Sequence, residues 1–291
     1  MNMKNCRNLL LAAAVLVAAS SCSDKVQVKG TLAGAPDTQV VVKQLSGSTL
    51  VTLDTLKTDA SGAYSCKIDV LKGQPQFVYL FKGDTKIASL LLQKGDKVKV
   101  ASDTLGKYSV EGSEESEKLR QVEEDFAAFI DKFSADAAAG DNAAASKDYI
   151  EYYRGCVKYI MTNSKSLTSI PVLYQKVNEN FPIFSQATDA ILFQNVHDSL
   201  MTVYPESKYL EALKKEAEKR FNIFNLSQRV QNARESSYPD LNLPSVDGTK
   251  VKLSEVASKA VLVYFWQAAD AAQKMFNQDV LMPLYKEYHP K

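Results

Sequence analysis

The 291-residue chain is poor in the groups that most enzyme chemistry needs: it has 4 cysteines, 2 histidines and 1 tryptophan. No two cysteines are three positions apart, so the Cys-x-x-Cys spacing of dithiol chemistry is absent. There is no Gly-x-Gly-x-x-Gly, no Gly-Lys-Ser/Thr phosphate loop and no Gly-x-Ser-x-Gly elbow, which removes the common dinucleotide, nucleotide and acyl-transfer signatures. No loop carries the Asp-x-Asp-x-Asp-Gly ligand spacing for calcium. Neither sign of charge is in excess, with 35 basic and 34 acidic residues. That balance excludes nucleic acid as a partner, because duplex binding rests on clustered Lys and Arg. No cofactor is expected.

Only the first residues carry a long apolar run. Lys4 and Arg7 precede Leu9 to Ala19, and small residues lead to Cys22. The run is too short to span a bilayer. It resembles a bacterial lipoprotein signal (residues 1–21), which implies cleavage before Cys22 and lipid attachment to it, residues 22–25 being the linker. Ala19 departs from the usual leucine of such signals, which leaves ordinary secretion as the alternative. Removing residues 1–21 takes Lys4 and Arg7 and no acid, leaving a net charge of −1. The expected location is the cell envelope, lipid-anchored to the inner or outer membrane, with an envelope protein as a possible partner.

The mature chain changes pattern twice, giving a multidomain α+β class. Residues 26–110 contain short alternating runs (VQVKGTL, QVVVKQL, TLVTLDTLKT, AYSCKIDV, QFVYLFKG, IASLLLQ, KVKVA) separated by Gly, Pro and Asp turns. They predict an antiparallel β-sandwich or barrel. The opening at Gly30 and the turn Asp59 to Gly62 resemble a lipoprotein-associated β domain of unknown function that in Bacteroidetes precedes thioredoxin-like domains. Residues 113–235 read as helical, with stripes over 119–133, 147–161, 167–179, 186–203 and 207–230, and breaks at Gly140-Asp141-Asn142 and Tyr204-Pro205-Glu206-Ser207.

Tyr149, Tyr152, Tyr153, Tyr159, Tyr174, Phe181 and Phe184 form an aromatic stripe that reads as core, a ligand groove being the alternative. Cys66 lies on a strand face and Cys156 on a helical stripe, both as small buried hydrophobes. His197, with only Asp198 near it, and His289 offer no metal-ligand spacing. Lys214 to Arg220 is a solvated helix face.

Residues 238–291 hold Pro239-Asp240-Leu241, Leu243, Asp247-Gly248, Leu253-Ser254, an apolar run and Phe265-Trp266. This order resembles the TlpA/ResA-like thiol–disulfide oxidoreductases of the AhpC/TSA-Redoxin superfamily. The resemblance implies the front part of a thioredoxin fold, with Val261 to Trp266 as its first central strand and Ala271 to Tyr288 as the following helix. Where that family has its two cysteines, this chain has Asp270 and Gln273, so no catalytic residue is expected. Asp-Ala-Ala-Gln instead has the spacing of a helix cap. Two functions follow as expectations: a non-catalytic envelope binding or scaffold protein, or a thiol–disulfide oxidoreductase or thiol peroxidase relative represented by a partial chain.

Overall fold

The computed structural model describes residues 25–47, 49–231, 240–256 and 261–288. Residues 25–231 and 240–288 belong to two separate compact units. The signal segment, Cys22, Pro239 and His289 lie outside the described residues.

The first unit opens with eight strands: β1 (Lys25–Leu32), β2 (Gln39–Ser46), β3 (Thr49–Lys57), β4 (Ala63–Asp69), β5 (Gln76–Lys82), β6 (Thr85–Leu92), β7 (Lys97–Ser102) and β8 (Tyr108–Glu111). They form a sandwich of two four-stranded sheets, ordered β4-β1-β7-β8 (sheet A) and β3-β2-β5-β6 (sheet B). All pairings are antiparallel except β1 with β7, which run parallel. The expectation of an all-antiparallel sandwich is corrected at that pair: β1 and β7 are joined through sheet B rather than by a hairpin, so nothing forces them to alternate in direction. β8 is also an addition to the seven runs read from the sequence.

Alternation along β1, β4 and β7 sends every second side chain inward. Val26, Val28 and Leu32 meet Tyr64, Cys66, Ile68, Val98 and Val100 in the core between the sheets. Gly30 is required here because its cross-strand partner Tyr64 lies directly over it, and an added Cβ would sit 2.0 Å from the Tyr64 ring. Gly62 is required by its φ of +83° in the turn before β4. Asp59 builds that turn by accepting hydrogen bonds from the Ser61 and Ala63 amides at 2.7 and 3.0 Å and from the Ser61 hydroxyl at 2.6 Å. The Ser61 hydroxyl, then the amides, hold the Asp59 carboxyl below its usual range.

Strands β5 and β6 are buried on both faces, which explains why they read as continuous apolar runs. Val78, Leu80, Leu90 and Leu92 face sheet A, whereas Phe77 and Leu91 enter a second core beneath a helical layer. That layer consists of α1 (Glu114–Ala138), α2 (Asn142–Thr162), α3 (Ser169–Leu173), the small hairpin β9 (Lys176–Asn178) and β10 (Phe181–Pro182), α4 (Ala190–Met201) and α5 (Leu210–Gln231). The helix expected over 167–179 therefore stops at Leu173. Asn178 closes the following hairpin as an Asx turn, accepting from the Asn180 amide at 3.0 Å.

The sandwich and the helices thus share sheet B, and residues 26–110 and 113–231 pack as three layers of one unit. Two side chains of α1, and Tyr209 immediately before α5, tie the helical layer to the strands. The Ser116 hydroxyl accepts from the Leu91 amide and donates to the Leu91 carbonyl, both at 3.1 Å, which satisfies backbone on the edge strand β6. Glu123 accepts from Lys86, the Ser89 hydroxyl and the Tyr108 hydroxyl at 2.6, 2.8 and 3.1 Å. The Tyr209 hydroxyl accepts from the Phe77 amide at 3.0 Å and donates to the Leu45 carbonyl at 3.3 Å.

The second unit holds a hairpin of β11 (Asn242–Pro244) and β12 (Lys250–Lys252), then α6 (Ala271–Phe276), a π-helical segment Asn277–Leu281, and α7 (Met282–Tyr288). The widened π turn lies just before Pro283, whose ring cannot tolerate an ordinary carbonyl contact four residues back. Residues 261–267 belong to no strand, contrary to the expected strand Val261–Trp266. An isolated apolar run has no neighbouring strand to satisfy its backbone, and among the described residues none pairs with it.

Candidate functional site

Asp270 and Gln273 form a helix cap. Asp270 has extended backbone (φ −83°, ψ 112°) and its Oδ1 accepts from the Ala272 and Gln273 amides at 2.9 and 3.1 Å. These bonds satisfy two of the free amides at a helix start, where the peptide dipoles also favour a carboxylate. Gln273 reaches back past Asp270, and its Oε1 accepts from the Gln267 amide at 2.7 Å. The pair thus fixes the turn 267–270 against the helix. A carboxylate in this position can neither attack a disulfide nor form one.

The Asp240, Asp247-Gly248 and Ser254 positions of this segment also have a local structural reason. Asp240 grips Ser254, accepting from its amide and its hydroxyl at 2.9 Å each, and the Ser254 bonds hold the Asp240 carboxyl below its usual range. Asp247 accepts from the Thr249 amide at 3.0 Å, with Gly248 at φ +83°, closing the β11–β12 hairpin. Asp240 and Asp247 therefore shape a turn-rich lead-in and present no paired acid and base.

Sulfur elsewhere does not replace the missing pair. Cys66 and Cys156 are free and buried, Cys66 in the core between the sheets and Cys156 in the core under the helices. Burial pushes both thiols up to about 11, the opposite of an activated thiolate. The Cys156 thiol donates to Gln175 Oε1 at 3.6 Å.

Most of the aromatic stripe packs on the core under the helices, with Phe184 buried and Tyr149, Tyr152, Tyr153 and Tyr159 partly buried, whereas Tyr174 is 45% exposed. Phe129 stacks on Tyr152 at 4.2 Å and Tyr149 on Phe181 at 5.2 Å. The hydroxyls of Tyr149, Tyr152 and Tyr153 are spent on the Ile183 carbonyl, Gln175 and Asp189 at 2.7, 2.8 and 2.6 Å. Burial, followed by the Asp189 carboxylate, raises the Tyr153 phenol. His197 Nδ1 lies 2.9 Å from the Asp198 carboxylate. Among the described residues no cluster of His, Cys, Asp or Glu is arranged for a metal ion, and no helix is long and apolar enough to cross a membrane.

A concavity of about 750 Å³ lies open on the outer face of sheet A. Its lining includes the bases Lys29, Lys57 and Lys99 and the acids Asp59 and Glu111. Sequence reasoning did not single it out, although the alternation that buries Val26, Val28 and Cys66 necessarily turns the intervening lysines outward.

Together these features define a mixed α+β protein: a two-sheet sandwich backed by helices, followed by a small segment with a capped helix. The family model described as a domain of unknown function (DUF4369) matches residues 26–119, which spans all eight strands of the sandwich and the first turn of α1. No curated protein matches the chain.

Proposed function

We propose that this chain is a cell-envelope lipoprotein with a non-catalytic binding or scaffold role, anchored through Cys22 and carrying at its C-terminal side the front part of a thioredoxin-like segment without redox chemistry. The observation that carries the reading is Asp270: its carboxylate is engaged with two helix amides where a redox relative would present its thiolate. The protonated, buried state of Cys66 and Cys156 supports it. The test is disulfide reduction by the mature protein with dithiol as electron source. Background turnover is expected, and reduction that disappears in Cys66→Ala or Cys156→Ala would overturn the non-catalytic reading. Fatty-acid labelling that is lost in Cys22→Ser tests the anchor.

One observation favours a second reading, that of an oxidoreductase relative seen as a partial chain. No described residue from 240 to 288 is buried, and Leu262, Phe265 and Trp266 stay 74, 73 and 48% exposed. Such apolar surface calls for a cover. A longer native product by intact mass would favour this reading, without restoring sulfur at positions 270 and 273.

A further inference from the structure

The chain is almost neutral, yet the outer face of sheet A is not. Alternation along its strands turns Lys25 and Lys29 of β1, Lys67 of β4, and Lys97 and Lys99 of β7 to solvent, against the carboxylates Asp69 and Glu111. Those two acids pair loosely with Lys25 and Lys99, at 3.6 and 3.8 Å. Lys29, Lys67 and Lys97 make no ion pair among the described residues. The strand register places Lys29 directly beside Lys99, and puts Lys67 and Lys97 on either side of Gln27. Like charges opposite one another in a sheet repel, so the arrangement works against the isolated fold. Between them lie small side chains, Thr31, Ser65 and Ser109, that leave the concave face open.

The position of this face in the chain gives the charge a direction. β1 begins at Lys25, three residues after Cys22, and three extended residues reach about 10 Å. A lipid on Cys22 would hold the start of β1 at the bilayer surface. The helical layer packs on the side of sheet B away from sheet A, so within the described residues of this unit sheet A keeps an exposed outer face.

We propose that the outer face of sheet A, carrying Lys29, Lys67, Lys97 and Lys99, docks on anionic lipid headgroups and so orients the anchored protein with its sandwich against the membrane. The proposal rests on the Cys22 anchor only for delivery. Acyl chains supply the attachment and the lysines supply the orientation, a division familiar from proteins that combine a lipid with a basic patch. Headgroup phosphates between Lys29 and Lys99 would relieve their mutual repulsion.

The test starts from the full mature chain beginning at residue 22. Its Cys22 thiol is coupled to a maleimide lipid in vesicles, with buried Cys66 and Cys156 too unreactive to compete. Lysine acetylation rates are read by mass spectrometry on phosphatidylglycerol-rich and on phosphatidylcholine vesicles. Slower labelling of Lys29, Lys67, Lys97 and Lys99 on the anionic vesicles alone, reversed by high salt and with Lys214 and Lys219 unchanged, is the expected result. Equal rates on both vesicle types would overturn the proposal. A second measurement uses unlipidated Cys22→Ser chain: replacing Lys29, Lys67 and Lys97 by Gln should weaken partitioning to anionic vesicles by roughly fivefold per lysine. These exposed positions lie outside the core, so the variant folds, and unchanged partitioning would again refute the surface. Fatty-acid labelling of the native chain separates the two ideas. Acylation with flat footprints sinks the docking face alone, and footprints without acylation sink the anchor alone.

Discussion

Residues 25–231 and 240–288 are both rich in large apolar side chains, but only the first region has anywhere to put them. In the sandwich and its helical layer, Phe77, Phe184 and Phe193 are almost wholly inaccessible. In the C-terminal segment, Leu262, Phe265 and Met275 are 74, 73 and 62% exposed. The difference lies in layering. Strands β5 and β6 of sheet B are covered on both faces, whereas the run Val261–Trp266 has no partner strand among the described residues and none of its side chains is buried. Apolar composition makes a core only where the topology encloses it.

The largest expected contrast is chemical. At pH 8 the thiols of Cys66 and Cys156 should react with iodoacetamide roughly a thousandfold more slowly in the folded protein than in urea, as reagent must wait for opening of a stable core. Because burial raises both thiols to about 11 from an ordinary value of 9.0, the unfolded chain loses these protons first as pH climbs. Their contribution to stability is thus intact below pH 9 and declines through the window up to about 11. Rapid native labelling of either residue would place a reactive sulfur in the region described as inert.

Truncation comes next. Phe77→Ala should lower the urea-measured stability of the first unit by about 3–5 kcal/mol, while Phe265→Ala should stay within about 0.5 kcal/mol. Equal costs would erase the distinction between the regions. Smaller effects come from single contacts: Ser116→Ala removes the acceptor of the Leu91 amide on β6, leaving the Leu91 carbonyl only its longer bond from Ser113, and should cost about 1–3 kcal/mol. Gly30→Ala forces the Tyr64 ring aside and should cost a similar 1–3 kcal/mol, reduced when Tyr64 is shortened as well. Smallest is Asp270→Ala, about 1 kcal/mol of helix stability, visible as lost helicity over 271–288 with no change in the unfolding midpoint of the first unit. A shifted midpoint there would mean that the cap supports more than its own helix.

Much of this division is legible in the sequence. Period-two alternation marks β1, β4 and β7, and the unbroken runs of β5 and β6 follow from burial on both faces. What alternation cannot convey is that Ser116, Glu123 and Tyr209 join the helices to sheet B, since each acts through backbone or side-chain groups remote in sequence. The four-residue β8 is too short to show a period, and the stripe over 167–179 hid the Asn178 turn. Asp270 and Gln273 were legible as a capping pair, although Gln273 reaches the Gln267 amide rather than that of Asp270. Val261–Trp266 misleads for the converse reason: a strand pattern expresses the capacity to pair, and pairing needs a neighbour. The basic face of sheet A depends on register between β1, β4 and β7, which a linear reading does not supply.

Amide hydrogen exchange tests the contrast between the two regions most directly. Amides of β5 and β6 should exchange only through global opening, and those of residues 261–266 within seconds under the same conditions. Protection of 261–266 as strong as that of β5 would contradict the account, because it would mean that the C-terminal segment is enclosed in the isolated chain.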